Sequence, residues 1–340
     1  MGMKWYIARR LAWTVFATWL ALTITFGLLA LSPNAGEMQA AMSAAQQGGD
    51  AEEARENYQE RMGLNDPLHE RYLNWLTGIV TLNWGWSVTR DQDVTAAIAQ
   101  AYPYSLQYML PTIVITTIIG YGLGLWGGMH RNQPSDYAGM VIAFFGISIP
   151  NFWFAIMLIL VAGVWFQDAA VLGQPLKPFK LPVFYDSDIP QAQGWLSWEN
   201  IRQLILPIIV LSTGSLAAQM RYSRAQVLEY VNSDFVKTAR AKGGSDTYVL
   251  FRHILRVALV PLTNILVGTV LAVFFAGSVV IEFIFQIPGL SALLLKAITN
   301  NDTPLVLGPV LISTFLIIFG NLIEDVLYTV LDPRVDYGDR

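Results

Sequence analysis

Cysteine is absent from all 340 residues. That excludes a disulfide framework, thiol catalysis and cysteine-ligated zinc or iron–sulfur sites. Histidine is nearly absent. The three copies, His69, His130 and His253, lie far apart in sequence, so no metal site is expected. Charge is scarce too, at 14% Asp, Glu, Lys and Arg, against roughly 25% in soluble domains. Common catalytic signatures are also missing. His69-Glu70 has Leu73 where a zinc-protease helix needs its second histidine, and no G-x-S-x-G is present. Without a G-x-x-x-x-G-K phosphate loop, the chain is not expected to hydrolyse ATP. Its apolar runs lack the midplane acids that proton- or sodium-driven transporters use, and no tandem repeat or inverted pair of halves is visible. The one basic cluster is short and adjoins apolar segments, which argues against nucleic acid.

What the chain has is apolar length. Hydrophobic residues make up 54% of it, concentrated in runs. Crossing roughly 30 Å of hydrocarbon takes about 20 residues of helix. Runs of that length occur at 10–31, 104–128, 138–165, 204–226, 259–281 and 305–328. The expected class is an all-α integral membrane protein with six transmembrane helices. Lys4, Arg9 and Arg10 precede the first run as in a signal peptide. That run exceeds a signal core of about 7–15 residues, and no clear A-x-A site follows, so it reads as an uncleaved span.

Basic residues set the orientation. With both termini in the cytoplasm, the short inner segments hold Lys4, Arg9, Arg10, Arg131, Arg221, Arg224, the bases of 237–256, Arg334 and Arg340. The outer bases, Lys177 among them, are spread over longer loops. The chain divides into an N-terminal segment and first span (1–31), an outer region (32–103) and a core of five further spans (104–340). The outer region opens with a polar stretch at 37–60, expected to be a flexible helix or insertion. It then becomes aromatic through RYLNWLTGIVTLNWGWSV, suited to the membrane surface. A second outer loop, 166–203, is proline-rich and reads as an irregular cap. Asn301-Asp302-Thr303 is a glycosylation sequon weakened by Pro304.

Within the spans, Gly120, Gly124 and Gly128 recur every fourth residue and read as a packing face. Pro150 removes a backbone donor from the third span and should kink it. Ser148, Pro150 and Asn151 either face a translocation path, or Asn151 makes an interhelical hydrogen bond. Glu282 is placed at the outer end of span five. Arg221 and Arg224 lie at the inner end of span four, and Glu324 and Asp325 toward that of span six. An ion pair between these last two groups is a further expectation.

Between spans four and five lies DFVKTARAKGGSDTYVLFRHILRVALVP, starting at Asp234. A first helix, 234–242, has Ser233 to cap it, Asp234 in its first turn, and Arg240 and Lys242 in its last. Gly243-Gly244 stops it with a left-handed turn. Ser245 or Asp246 caps a second helix, with Tyr248, Phe251, Leu255 and Ala258 on one face and Arg252 and Arg256 on another. The pair is too polar to be a span. It either rests on lipid or lies in a partner's groove.

These residues resemble a known family. KTARAKG at 237–243 is similar to the cytoplasmic coupling (EAA) loop of ABC-transporter permeases. With FRHILRVALVP at 251–261, it resembles the first permease of the dipeptide/oligopeptide/nickel branch. YIARRL at 6–11, GLNDPLHERYLNWL at 63–76, WGWSV at 84–88, SIPNFWF at 148–154, EFIFQIPGL at 282–290 and LYTVLDPR at 327–334 follow in the order that branch shows. Lys237 stands where the general loop has Glu, and Leu255-Arg256 where it has Leu-Pro; both are typical of the branch. Gly244 replaces a bulky apolar residue, and the 37–60 stretch is longer than usual.

The resemblance implies the type I importer permease fold, with a coupling helix-turn-helix (233–258) between spans four and five. It implies a non-catalytic subunit that pairs with a second, homologous permease. Two ATPase subunits would carry the ATP and Mg, and an extracellular solute-binding protein would deliver di- or oligopeptides; oligosaccharides and nickel chelates are the alternatives. It assigns ATPase coupling to Asp234, Lys237, Thr238, Ala239, Arg240, Ala241, Lys242, Gly243, Tyr248, Phe251 and Arg252. Ala239, Ala241 and Gly243 would permit close approach, and Arg240 and Arg252 would supply charge. Phe285, Pro288 and Gly289 would meet the binding protein or gate the exit. The implied location is a prokaryotic cell membrane.

Overall fold

The computed structural model describes residues 3–31, 35–61, 63–165, 170–171, 174–175, 180–276 and 278–331. Lys177, Arg334 and Arg340 lie outside these residues. The chain is mostly helical. Five helices are long and apolar enough to cross a membrane, and two further bent pairs pass the same test. The first is α1 (Met3–Leu31). Two helices, α2 (Ala35–Gln46) and the polar α3 (Ala51–Arg61), follow, then α4 (Leu68–Val80) and a short β1–β2 hairpin (Trp86–Ser87 and Gln92–Asp93). The long helix α5 (Val94–Met129) includes a π turn at Thr116–Gly120.

The expected third span is not one straight helix. It is α6 (Pro134–Ser148) and α7 (Asn151–Ala162), bent by 98° at Ile149-Pro150. Pro150 cannot donate to the helical ladder, and Ile149 before it is extended (ψ 120°). The 166–203 loop has a strand pair, β3 (Ala170–Val171) and β4 (Gln174–Pro175), and a short α8 (Asp188–Gln193). Then come α9 (Trp198–Tyr230) and α10 (Asp234–Ala241). Helix α11 begins at Asp246, passes a π turn at Leu250–Ile254 and continues as Leu255–Ala276. The expected end of span five at 281 is therefore wrong. A separate bent pair, α12 (Val279–Phe285) and α13 (Leu290–Thr299), turns back by 91°. Helix α14 (Thr303–Leu331) is the last.

The glycine stripe packs α5 against α9. A Cβ on Gly120 would stand 3.0 Å from Leu216 O, one on Gly124 would overlap Ser223 Oγ and Met220 O, and one on Gly128 would stand 2.5 Å from Val227 Cβ. Two backbones this close exclude any larger residue, so the packing role holds.

The end of the bundle that carries α10 is called here the coupling end. At the far end, α4 lies on α1: Thr23 and Tyr72 share a hydrogen bond of 2.8 Å, and Phe26 meets Tyr72 edge-on and Trp75 at a tilt. The 37–60 stretch forms the α2–α3 hairpin, closed by Arg55 and Gln59 on Glu37. A cavity of about 1180 Å³ opens between these helices and the start of α14. Asp302, the middle residue of the sequon, is buried. It accepts from Ser87 Oγ (2.7 Å), Thr89 N (2.9 Å) and Leu305 N (3.3 Å), which ties the β hairpin to the first turn of α14.

Candidate coupling, kink and hairpin sites

The coupling turn is built as a surface on its own core. Val236, Ala239, Val249, Leu250 and Ile254 are buried with Leu125 of α5 and Val227 of α9. Gly243 takes the left-handed conformation (φ +83°) that the sequence requires. Gly244 has a different reason. Its N–H donates to Ala239 O at 3.1 Å, and a Cβ there would stand 2.9 Å from that same oxygen. A bulky residue does not fit this seat. Ser245 caps the second helix by accepting from Tyr248 N. Ser233 does not cap the first; its hydroxyl donates back to Tyr230 O at 2.6 Å.

The exposed side carries Asp234, Lys237, Thr238, Arg240, Ala241, Lys242, Gly243, Tyr248, Phe251 and Arg252. Lys237 pairs with Asp234 at 3.0 Å, and Arg240 with Asp246 at 3.1 Å. Ala239 departs from expectation. It is only 8% exposed and faces the chain's own core, so it is no contact for a partner. The face pattern of the second helix is also different. The π turn at Leu250–Ile254 inserts one residue. Tyr248 and Phe251 stand on the same open side as Arg252 and Arg256, with Val249, Leu250, Ile254 and Ala258 inside. Phe235, 41% exposed and not among the expected coupling residues, adds a third aromatic ring to this face.

Behind this face the expected ion pairing is replaced. Arg224 grips Asp136 of α6 with two bonds, Nε–Oδ1 at 2.6 Å and Nη2–Oδ2 at 2.8 Å. Asp325 pairs instead with Arg10 of α1 at 3.1 Å. Both partners come from elements too distant in sequence for spacing to reveal.

At the kink, Ser148, Pro150 and Asn151 come together at the bend, and all three are exposed. Phe152 and Trp153 beside them are exposed as well.

The α12–α13 hairpin corrects another expectation. Phe285 is 1% exposed and packs with Tyr108, Leu206 and Ile287, so its side chain is core and offers no docking contact. Pro288 is exposed, Gly289 is buried, and Gln286 turns the chain at φ +57°. Glu282 is not at the outer end of a span. It is 1% exposed and accepts from Ser105 Oγ (2.7 Å), Tyr108 OH (2.9 Å) and Ala292 N (2.7 Å). An acid within the apolar run VVIEFIF was the signal available for it.

A second polar cluster joins the far-end loop to α5 and α9. Gln107 donates to the Tyr185 hydroxyl (3.0 Å), and Tyr185 donates to Asn200 Oδ1 (3.0 Å). Asn200 donates to Gln107 Oε1 (2.6 Å), and Gln203 donates to Asn200 Oδ1 (2.8 Å). Burial pushes the Tyr185 phenol above its ordinary range, against a lowering hydrogen bond from Gln107.

Apolar helices long enough to cross a membrane, with the family match that follows, make this a multi-pass membrane permease of the type I ABC importer fold. The chain belongs to the family of binding-protein-dependent transport system inner membrane components, which matches residues 120–337. It is similar to the oligopeptide transport system permease protein AppB of Bacillus subtilis, 36% identical over 289 residues, covering 83% of this chain and 85% of the relative. It is similar to the dipeptide transport system permease protein DppB of the same organism, 32% identical over 335 residues and 98% of each chain. A putative peptide transport system permease protein of Brucella melitensis is 33% identical over 334 residues, 97% of this chain and 98% of the relative. The chain is a non-catalytic permease subunit. Subunits of this kind work with a further permease, ATPase and binding-protein partners, and ATP is hydrolysed on the separate ATPase subunits.

Proposed function

We propose that this chain forms half of the translocation path of a di- or oligopeptide importer, with its 233–258 turn seated on one of two ATPase subunits. Both termini then face the cytoplasm of a prokaryotic cell, and the α12–α13 hairpin faces a solute-binding protein outside. ATP and Mg belong to the ATPases, a second homologous permease completes the path, and lipid surrounds the rest. The observation that carries the coupling assignment is the face of Phe235, Arg240, Tyr248, Phe251 and Arg252, exposed over a core of the chain's own. The similarity to oligopeptide and dipeptide permeases supports peptides as cargo.

In this reading, closure of the ATPases moves the turn as one piece. The turn's core includes Leu125 and Val227, so the push passes directly into α5 and α9. The bend at Pro150 is where a path-lining helix changes direction. The test is to purify the chain with its native partners and measure ATPase stimulation by peptides, oligosaccharides and nickel chelates. Stimulation by peptides alone supports the reading. Stimulation by sugars or chelates alone overturns the cargo, and failure to recover any ATPase with the chain overturns the coupling.

A further inference from the structure

We infer that Glu282 is a positioning residue that fixes the shape of the α12–α13 hairpin by setting the direction of two hydroxyl relays. The geometry is closed at both feet of the hairpin. Ser105 Oγ donates to Glu282 Oε1 (2.7 Å) and accepts from Leu290 N (2.8 Å). Tyr108 OH donates to the same oxygen (2.9 Å) and accepts from Ser278 N (2.8 Å). The other carboxylate oxygen accepts from Ala292 N (2.7 Å), in the first turn of α13. A carboxylate only accepts. Both hydroxyls must therefore point their protons at it, which leaves their lone pairs for the backbone N–H groups where α12 and α13 begin. One buried charge thus holds Ser278, Leu290 and Ala292 against α5. Gly289 shows how tight the seat is: a Cβ there would overlap Glu282 Oε1 and stand 2.5 Å from Ser105 Oγ. What this network presents to the far side is the turn 286–288, with Gln286 left-handed and Pro288 exposed.

An amide of the same shape cannot replace the carboxylate. If its oxygen faces the hydroxyls, its NH₂ meets Ala292 N–H. If its NH₂ faces the hydroxyls, their protons lose their acceptor. Either way a buried donor is left without an acceptor. Glu282→Gln should therefore keep fold and assembly while loosening the hairpin.

The test is hydrogen exchange on the assembled complex. In Glu282→Gln either the amide of Ala292 or those of Ser278 and Leu290, according to which way the new amide turns, should exchange about tenfold faster or more, with α9 unchanged. Tyr108→Phe should release Ser278 alone and Ser105→Ala should release Leu290 alone. A general loss of stability does not give that end-specific pattern, and these two variants carry the test if Glu282→Gln does not assemble. Unchanged exchange at all three amides overturns the inference. A second measurement rests on the importer reading: KM for the loaded binding protein should rise about tenfold while maximal transport stays within about twofold. Faster exchange with an unchanged KM keeps the role of Glu282 and overturns docking at this turn.

Discussion

Replacing Arg224 with alanine leaves a carboxylate where water does not reach. The Asp136 side chain is 0% exposed and that of Arg224 18%. The guanidinium supplies two bonds, at 2.6 and 2.8 Å. Without it, the hydrogen bond from Asn132 N at 3.0 Å remains. Gly127 closes the site, since a Cβ there would stand 3.0 Å from Asp136 Oδ1. Removing one partner of a buried pair costs roughly 3–5 kcal/mol, whereas an exposed pair contributes about 0–1 kcal/mol. Arg224→Ala should therefore destabilise the subunit by roughly 3–5 kcal/mol, or roughly two to four orders of magnitude in the unfolding equilibrium. Asp136→Ala leaves a guanidinium that can still reach water, so its cost should be smaller. The double variant should cost less than the sum of the two. The assay is a denaturant titration of the purified subunit in mixed micelles, followed by fluorescence of its 11 tryptophans. A cost for Arg224→Ala below about 1 kcal/mol, with no coupling in the double variant, would refute the burial argument.

Three further outcomes are expected. Gly124→Ala forces apart two helices in backbone contact and should cost about 1–3 kcal/mol or more. Gly122→Ala, with nothing within 4 Å of its Cβ, should stay within about 1 kcal/mol; equal costs by the same titration would contradict the packing assignment. Tyr185→Phe removes the hydroxyl shared by Gln107 and Asn200 and should cost about 1–3 kcal/mol in stability, against no change if water replaces the phenol. Arg240→Glu sets a like charge against exposed Asp246 and should alter stability by less than about 1 kcal/mol, yet abolish ATPase co-purification or uncouple hydrolysis from uptake. Normal uptake by that variant would end the coupling role of Arg240.

Features that depend on neighbours in sequence were legible there. Pro150 bends its helix, Gly243 turns left-handed, Ser245 caps, and the four-residue glycine step becomes a packing face. Each follows from backbone rules acting within a few residues. What was not legible depends on partners brought from far away. Asp136 and Arg224, Arg10 and Asp325, and Glu282 with Ser105 are each separated by whole helices, and a single sequence carries no record of such meetings. Phe285 is assigned by resemblance to the binding-protein contact or outer gate, but its side chain folds inward on Tyr108 and Leu206. The coupling face failed for a narrower reason. Tyr248 and Phe251 group with Leu255 and Ala258 by apolarity, but the buried side runs through Leu250, Ile254 and Ala258 at four-residue steps, which leaves both rings outside beside Arg252.

Helix α5 touches both of the clusters described above. Leu125, near one end, is part of the core under the coupling turn, while Ser105 and Tyr108, near the other, hold the Glu282 hairpin. From Tyr108 to Leu125 is about 25 Å along a helix axis, and at the Leu125 end of that length Gly120 and Gly124 lock α5 to α9. The two clusters are thus mounted on a common shaft. A displacement that enters at one end reaches the other through Pro111 and the π turn at Thr116–Gly120, the irregular stretch of the helix where it can be absorbed or redirected.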